Sequence, residues 1–170
     1  MAFLLVTLLC MPFWSANGEA LARGEFAWVR QVTRKMVMLC GGMTLVVVAL
    51  LTIVSPVLFH WWIGPDFPVD RWLIMSMGLW AVLLAFASPF FMVLNSSGQI
   101  RIQIKMWLFY LPVAIICKIL LSHKLGLAGI PLGGAIPYAL IIIPWCSIVY
   151  FRTVRKPDLT TTYHPIKELQ

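Results

Sequence analysis

Charge is scarce in this sequence, and negative charge most of all. Among 170 residues there are six carboxylates, Glu19, Glu25, Asp66, Asp70, Asp158 and Glu168, and none lies inside a long apolar run. That excludes acid and base chemistry by carboxylates within such runs. No nucleophile stands beside a base, and no glycine-rich phosphate loop or cofactor motif is present, so the chain reads as a non-enzyme with no cofactor. The four cysteines, Cys10, Cys40, Cys117 and Cys146, each sit in an apolar run without a CxxC pair. They signal neither a disulfide framework nor a metal. His60, His123 and His164 are far apart in sequence and read as interfacial or solvated side chains, not ligands.

What is abundant is apolar. Hydrophobic residues make up 61% and charged residues 11%, against roughly 45–50% and 25% in a soluble domain. Lipid must cover the surplus. The net charge of +7 does not indicate nucleic acid, because the basic residues flank apolar runs and form no aromatic-interleaved face.

Residues 36–59, 72–94 and 127–151 carry no charged side chain, and each exceeds the ~20 residues that cross a hydrocarbon core. A fourth run, 106–122, contains Lys118 and lies near the lower length limit. The opening stretch, about 2–14, is short. It lacks the basic start and small-residue cut site of a signal peptide and reads as the rear of a further span. The expectation is therefore an all-α polytopic transmembrane bundle of about five spans over 1–155, with a tail at 156–170.

Lysine and arginine counts orient it. The segments 15–35 and 95–105 and the tail hold ten, whereas the opposite loops and the end of the fourth run hold three, Arg71, Lys118 and Lys124. By the positive-inside rule the tail is cytoplasmic.

Between the first two spans, residues 18–35 show helical amphipathicity: Glu19, Arg23, Arg30 and Arg34 fall within an arc of about 60°, with Leu21, Trp28 and Val32 opposite. Such a helix fits the membrane interface, its arginines facing anionic headgroups, or else contacting a phosphate-bearing substrate at a cavity mouth. Lys118, flanked by apolar residues on both sides, is a functional candidate by its position, or it snorkels to the nearby interface. Gly129 and Gly133 form a GxxxG strip for close helix approach. Pro89, Pro112, Pro131, Pro137 and Pro144 kink their helices, as transporter helices do around a cavity and as purely structural kinks do elsewhere.

The order of motifs carries a resemblance. Pro12-Phe-Trp-Ser precedes Gly18-Glu-Ala and the basic segment, and a span ends in Trp62-Ile-Gly-Pro-Asp66. Leu94-Asn-Ser-Ser-Gly98-Gln-Ile-Arg101-Ile-Gln103 follows the third span, and Gly126-Leu-Ala-Gly129 the fourth. From Pro12 to Arg155 this resembles the C-terminal part of bacterial polysaccharide flippases, the O-antigen and capsule repeat-unit translocases of the multidrug, oligosaccharidyl-lipid and polysaccharide exporter superfamily. The resemblance implies most of one lobe of a two-lobe transporter in the bacterial inner membrane. It implies movement of an undecaprenyl-pyrophosphate-linked oligosaccharide, with an N-terminal lobe or another membrane subunit as partner, and thus a fragment or truncated product. Lys118, Arg101, Arg23, Arg30 and Arg34 are the residues expected to meet pyrophosphate or sugar. A small non-transporting membrane interaction protein, held together by small-residue contacts such as Gly129 and Gly133 and serving as a partner for another complex, remains the alternative. A membrane-bound transferase has less to support it.

Overall fold

Gly24 decides how the chain begins. Its φ of +74° is a backbone conformation that side chains with a Cβ avoid. The Glu25 amide donates to the Ala20 carbonyl (2.9 Å) and the Gly24 amide to that of Leu21 (3.2 Å), the paired bonds of a Schellman cap. A first helix, α1, therefore stops at residue 22, and a new one, α2, starts at Phe26 and runs to Trp62. The single amphipathic helix expected over 18–35 does not form: its arc joins Glu19 of α1 and Arg23 of the turn after it to Arg30 and Arg34 of α2 across a break in helical phase. Residues 26–35 are instead the first turns of α2. Phe26, which sits on the polar side of that arc, is half-buried against Ala20, Val29 and Tyr150 and their neighbours.

The computed structural model describes residues 13–62, 64 and 70–155. Most of the expected span at 2–14, and the tail at 156–170, lie outside them. Three helical stretches among the described residues are long and apolar enough to cross a membrane: Phe26–Trp62, Arg71–Ser96 and Ile100–Arg155. No strand occurs among those residues.

The helix α3, Arg71–Ser96, opens on an Asp70 N-cap whose carboxylate accepts from the Trp72 amide at 2.9 Å. This satisfies one of the orphan donors at the helix start. At its other end Gly98, with φ +70°, repeats the Schellman arrangement: its amide donates to Asn95 (3.1 Å) and that of Gln99 to Leu94 (3.2 Å). The chain turns there into α4, Ile100–Leu125, so residues expected to be a loop before position 106 are already helical. Gln103 and Asn95 side chains tie the turn at 2.9 Å.

The third apolar stretch is folded back on itself. Gly126, with φ +61° and ψ −140°, ends α4, and a 3-10 turn over Gly126–Ala128 leads into α5, Gly129–Pro137. A Cβ on Gly129 would meet the Leu121 carbonyl, and one on Gly133 would lie 2.5 Å from Lys118 Cα. The strip is thus pressed against the backbone of α4. A π turn, Tyr138–Ile142, follows, and then α6, Ile143–Arg155. It lies directly before Pro144, whose ring would collide with the Leu140 carbonyl in a regular helix and which offers no amide.

Glycines also set the α2–α3 contact. A Cβ on Gly41 would lie 2.5 Å from the Phe86 ring, and one on Gly78 would strike Val48. These contacts make α2 and α3 antiparallel. Two ends result. One gathers the start of α2, the α3–α4 turn and the end of α6, where the Gln99 side chain donates to Thr153 at 2.8 Å. The other holds the end of α2, Asp70 and Gly126, and exposes Trp61 (87%), Trp62 (83%) and Trp72 (72%), as indole rings at a membrane interface do.

Candidate functional site

Lys118 lies seven residues before the end of α4, because α4 continues to Leu125 and not to 122 as expected. The backbone there is held by Gly133, and the side chain turns across Gly134. A Cβ on Gly134 would sit 3.2 Å from Lys118 Cε and 3.4 Å from Trp80 Cζ3. The lysine stem and the indole therefore both lie over a residue that has no side chain. Lys118 is half-buried, and α3 through α6 contain no acid within their bounds to pair with it.

Trp80 opens onto a cluster of rings. It meets Tyr138 edge-on at 5.2 Å, Tyr138 meets Tyr110 at 5.8 Å, and Trp107 lies 5.4 Å from Tyr110 and 6.1 Å from Phe91. Edge-to-face pairs at these separations are favourable beyond their area. The Tyr110 hydroxyl donates to the Gly134 carbonyl at 3.3 Å, which fixes Gly134 under Lys118. The arrangement sets one lysine side chain at the border of an aromatic cluster. That is the chemistry that binds an anion next to a sugar ring or another flat, weakly polar face.

The arginines are elsewhere. Arg101 is exposed on the first turn of α4, 17 residues or about 26 Å from Lys118 along the helix. One pyrophosphate cannot touch both. Arg23 is bound to Glu19 at 3.5 Å, with both side chains about 70% exposed, beside a small polar cleft that also takes in Glu25 and Trp28. Arg30 and Arg34 lie one turn apart on α2 at the rim of a cleft of about 300 Å³ with Phe90 and Phe151 among its walls. The five basic candidates are thus divided between two places: Lys118 in the bundle, and the arginines toward the end that holds the start of α2 and the α3–α4 turn.

Sequence reasoning missed Trp80, Tyr110 and Tyr138. The only signal was that Trp107, Tyr110 and Ala114 share a helix face in an otherwise aliphatic run. Among the described residues no group of three His, Cys, Asp or Glu side chains stands where it could hold a metal. Cys40, Cys117 and Cys146 form no disulfide. Comparison with protein families, with curated proteins and with solved structures finds no match for this chain.

Proposed function

We propose that this chain is part of a transporter that carries a lipid-linked oligosaccharide of the undecaprenyl-pyrophosphate type across the bacterial inner membrane. On this reading α2, α3, α4 and the α5–α6 segment each cross the bilayer once. The observation that carries it is Lys118 held over Gly134 beside Trp80. An ionisable side chain kept within a membrane bundle is costly and marks a functional site by default, and here it has no acid partner in the helices around it. A substrate with a phosphate next to sugars complements a lysine at the border of an aromatic cluster. The order of motifs along the chain supports the same reading.

The alternative, a small non-transporting interaction protein held together by small-residue contacts, uses the same packing of Gly129 and Gly133 against α4; the lone lysine beside Gly134 is what favours transport.

The test is genetic. In the natural host, with the gene in its own chromosomal context, Lys118→Gln should abolish surface polysaccharide and leave lipid-linked repeat units inside, whereas Lys118→Arg should retain a substantial part. Normal surface polysaccharide in a Lys118→Gln strain whose protein reaches the membrane in normal amount would refute the proposal.

A further inference from the structure

Beyond the transport reading, and independently of it, we infer that the cleft under Arg30 and Arg34 is a seat for one anionic phospholipid. Its phosphate lies against the two guanidinium groups and one acyl chain runs inward past Phe90.

The rim supplies charge without an internal answer. Arg30 and Arg34 are both exposed, one helical turn apart, and neither forms an ion pair among the described residues. Like charges at this spacing repel, and no carboxylate lines the cleft. An anion between them removes the repulsion and takes charge-assisted hydrogen bonds from both. The lining away from the rim is different: it is almost wholly carbon, from Met38, Phe90 and Phe151 among others. A free phosphate would use the rim and leave these walls bare. A phospholipid uses both.

Phe90 also lines a second groove, of about 390 Å³, between α3 and α6, which reaches Leu83 and Ile143. Both cavities are walled by Phe90 and by α6, the first at Tyr150 and Phe151 and the second at Ile143, Cys146 and Ser147, so an acyl chain that follows α6 past Phe90 would occupy both. From Phe151 to Ile143 the chain rises about 12 Å along α6, close to the roughly 15 Å half-thickness of the hydrocarbon core. The path thus has the depth of one leaflet, with its charged end where headgroups lie. A single acyl chain fits that depth.

The experiment is native mass spectrometry of the full chain in detergent, titrated with phosphatidylglycerol or phosphatidylcholine of identical acyl chains. Two arginines near a phosphate should favour the anionic lipid about thirtyfold. Arg30→Gln/Arg34→Gln should bring the ratio close to one, while Arg30→Lys/Arg34→Lys and the off-site Lys35→Gln should keep most of it. Ser147→Phe, which fills the inner groove, should weaken both lipids and leave their ratio unchanged; Ile143→Phe replaces it if that variant is not monodisperse. Equal binding of the two lipids by the parent, or an unchanged ratio in the double glutamine variant, would overturn the headgroup assignment. Full lipid retention in the monodisperse groove-filling variant, or displacement of the lipid by millimolar inorganic phosphate, would overturn the acyl-chain assignment.

Discussion

Asn17 is wholly buried, yet neither its amide nitrogen nor its amide oxygen has a hydrogen-bond partner among the described residues. It lies on α1 three residues before Ala20, which packs with Val29, Val93, Tyr150 and Val154, so a polar group occupies an apolar seam. Leaving such a group unpaired costs about 1–3 kcal/mol, whereas an apolar residue of similar shape carries no such penalty. Asn17→Leu should therefore raise the stability of the purified protein by about 1–3 kcal/mol. Thermal unfolding in detergent, followed by circular dichroism, checks the direction, and a fall in midpoint would mean that the amide is satisfied by an internal water. At this scale Gly129 and Gly133 were legible, because a GxxxG spacing leaves a flat strip wherever the helix meets a neighbour. Lys118 was legible as an anomaly only. That its stem crosses Gly134 to Trp80 follows from how α3, α4 and α5 pack together, which lies outside any local pattern.

Among the elements, the apolar helices were readable because a lipid-facing helix needs no amphipathic stripe, only length and the absence of charge. Their ends were not. The sequence places a boundary at Lys35, where charge stops, but the backbone places it at Gly24, where φ becomes positive; helical phase is reset by conformation and not by charge. The π turn also left a trace. Tyr138, Ile142, Cys146, Tyr150 and Val154 are all buried and recur at a strict spacing of four. In a regular helix of 3.6 residues per turn such a stripe drifts by about 40° at each step. A wider turn at Tyr138–Ile142 takes up one residue and returns the stripe to the core. Removal of Leu140, which is 72% exposed within that turn, should convert it to regular helix and leave α6 in register. Removal of Ile148 instead rotates Val149, Tyr150 and Val154 by about 100° out of their clusters. The monodisperse yield on size exclusion should stay near the parent for the first deletion and drop severalfold for the second. Equal yields would mean that the wide turn does not set the register.

For the whole molecule, the arrangement of helix ends turns a charge count into a geometric statement. The start of α2, the α3–α4 turn and the end of α6 come together, and with the α1–α2 turn they bring Arg23, Arg30, Arg34, Lys35, Arg101, Lys105, Arg152 and Arg155 to one end. The other end holds Arg71 and Lys124, with Lys118 in the half of the bundle nearer to it. Eight against three, counted over described residues, keeps the asymmetry of the full sequence, where Lys156 and Lys167 raise the first count to ten. Basic residues in short loops resist translocation, so the arginine-rich end is expected in the cytoplasm. The exposed Trp61, Trp62 and Trp72 mark the opposite end as a second interface without choosing a side, since aromatic belts form at both, and in this orientation Arg30 and Arg34 would meet the leaflet richer in anionic lipid. A green fluorescent protein fused after Arg155 should therefore fluoresce, and alkaline phosphatase at the same point should be inactive. Alkaline phosphatase inserted at Gly64, between α2 and α3, should be active. The reverse pattern at both points would invert the molecule and place the phospholipid seat in the outer leaflet. Activity at both points would mean that the three stretches between them, α3, α4 and α5–α6, do not each cross the membrane once, which would contradict the four-crossing reading of the described residues.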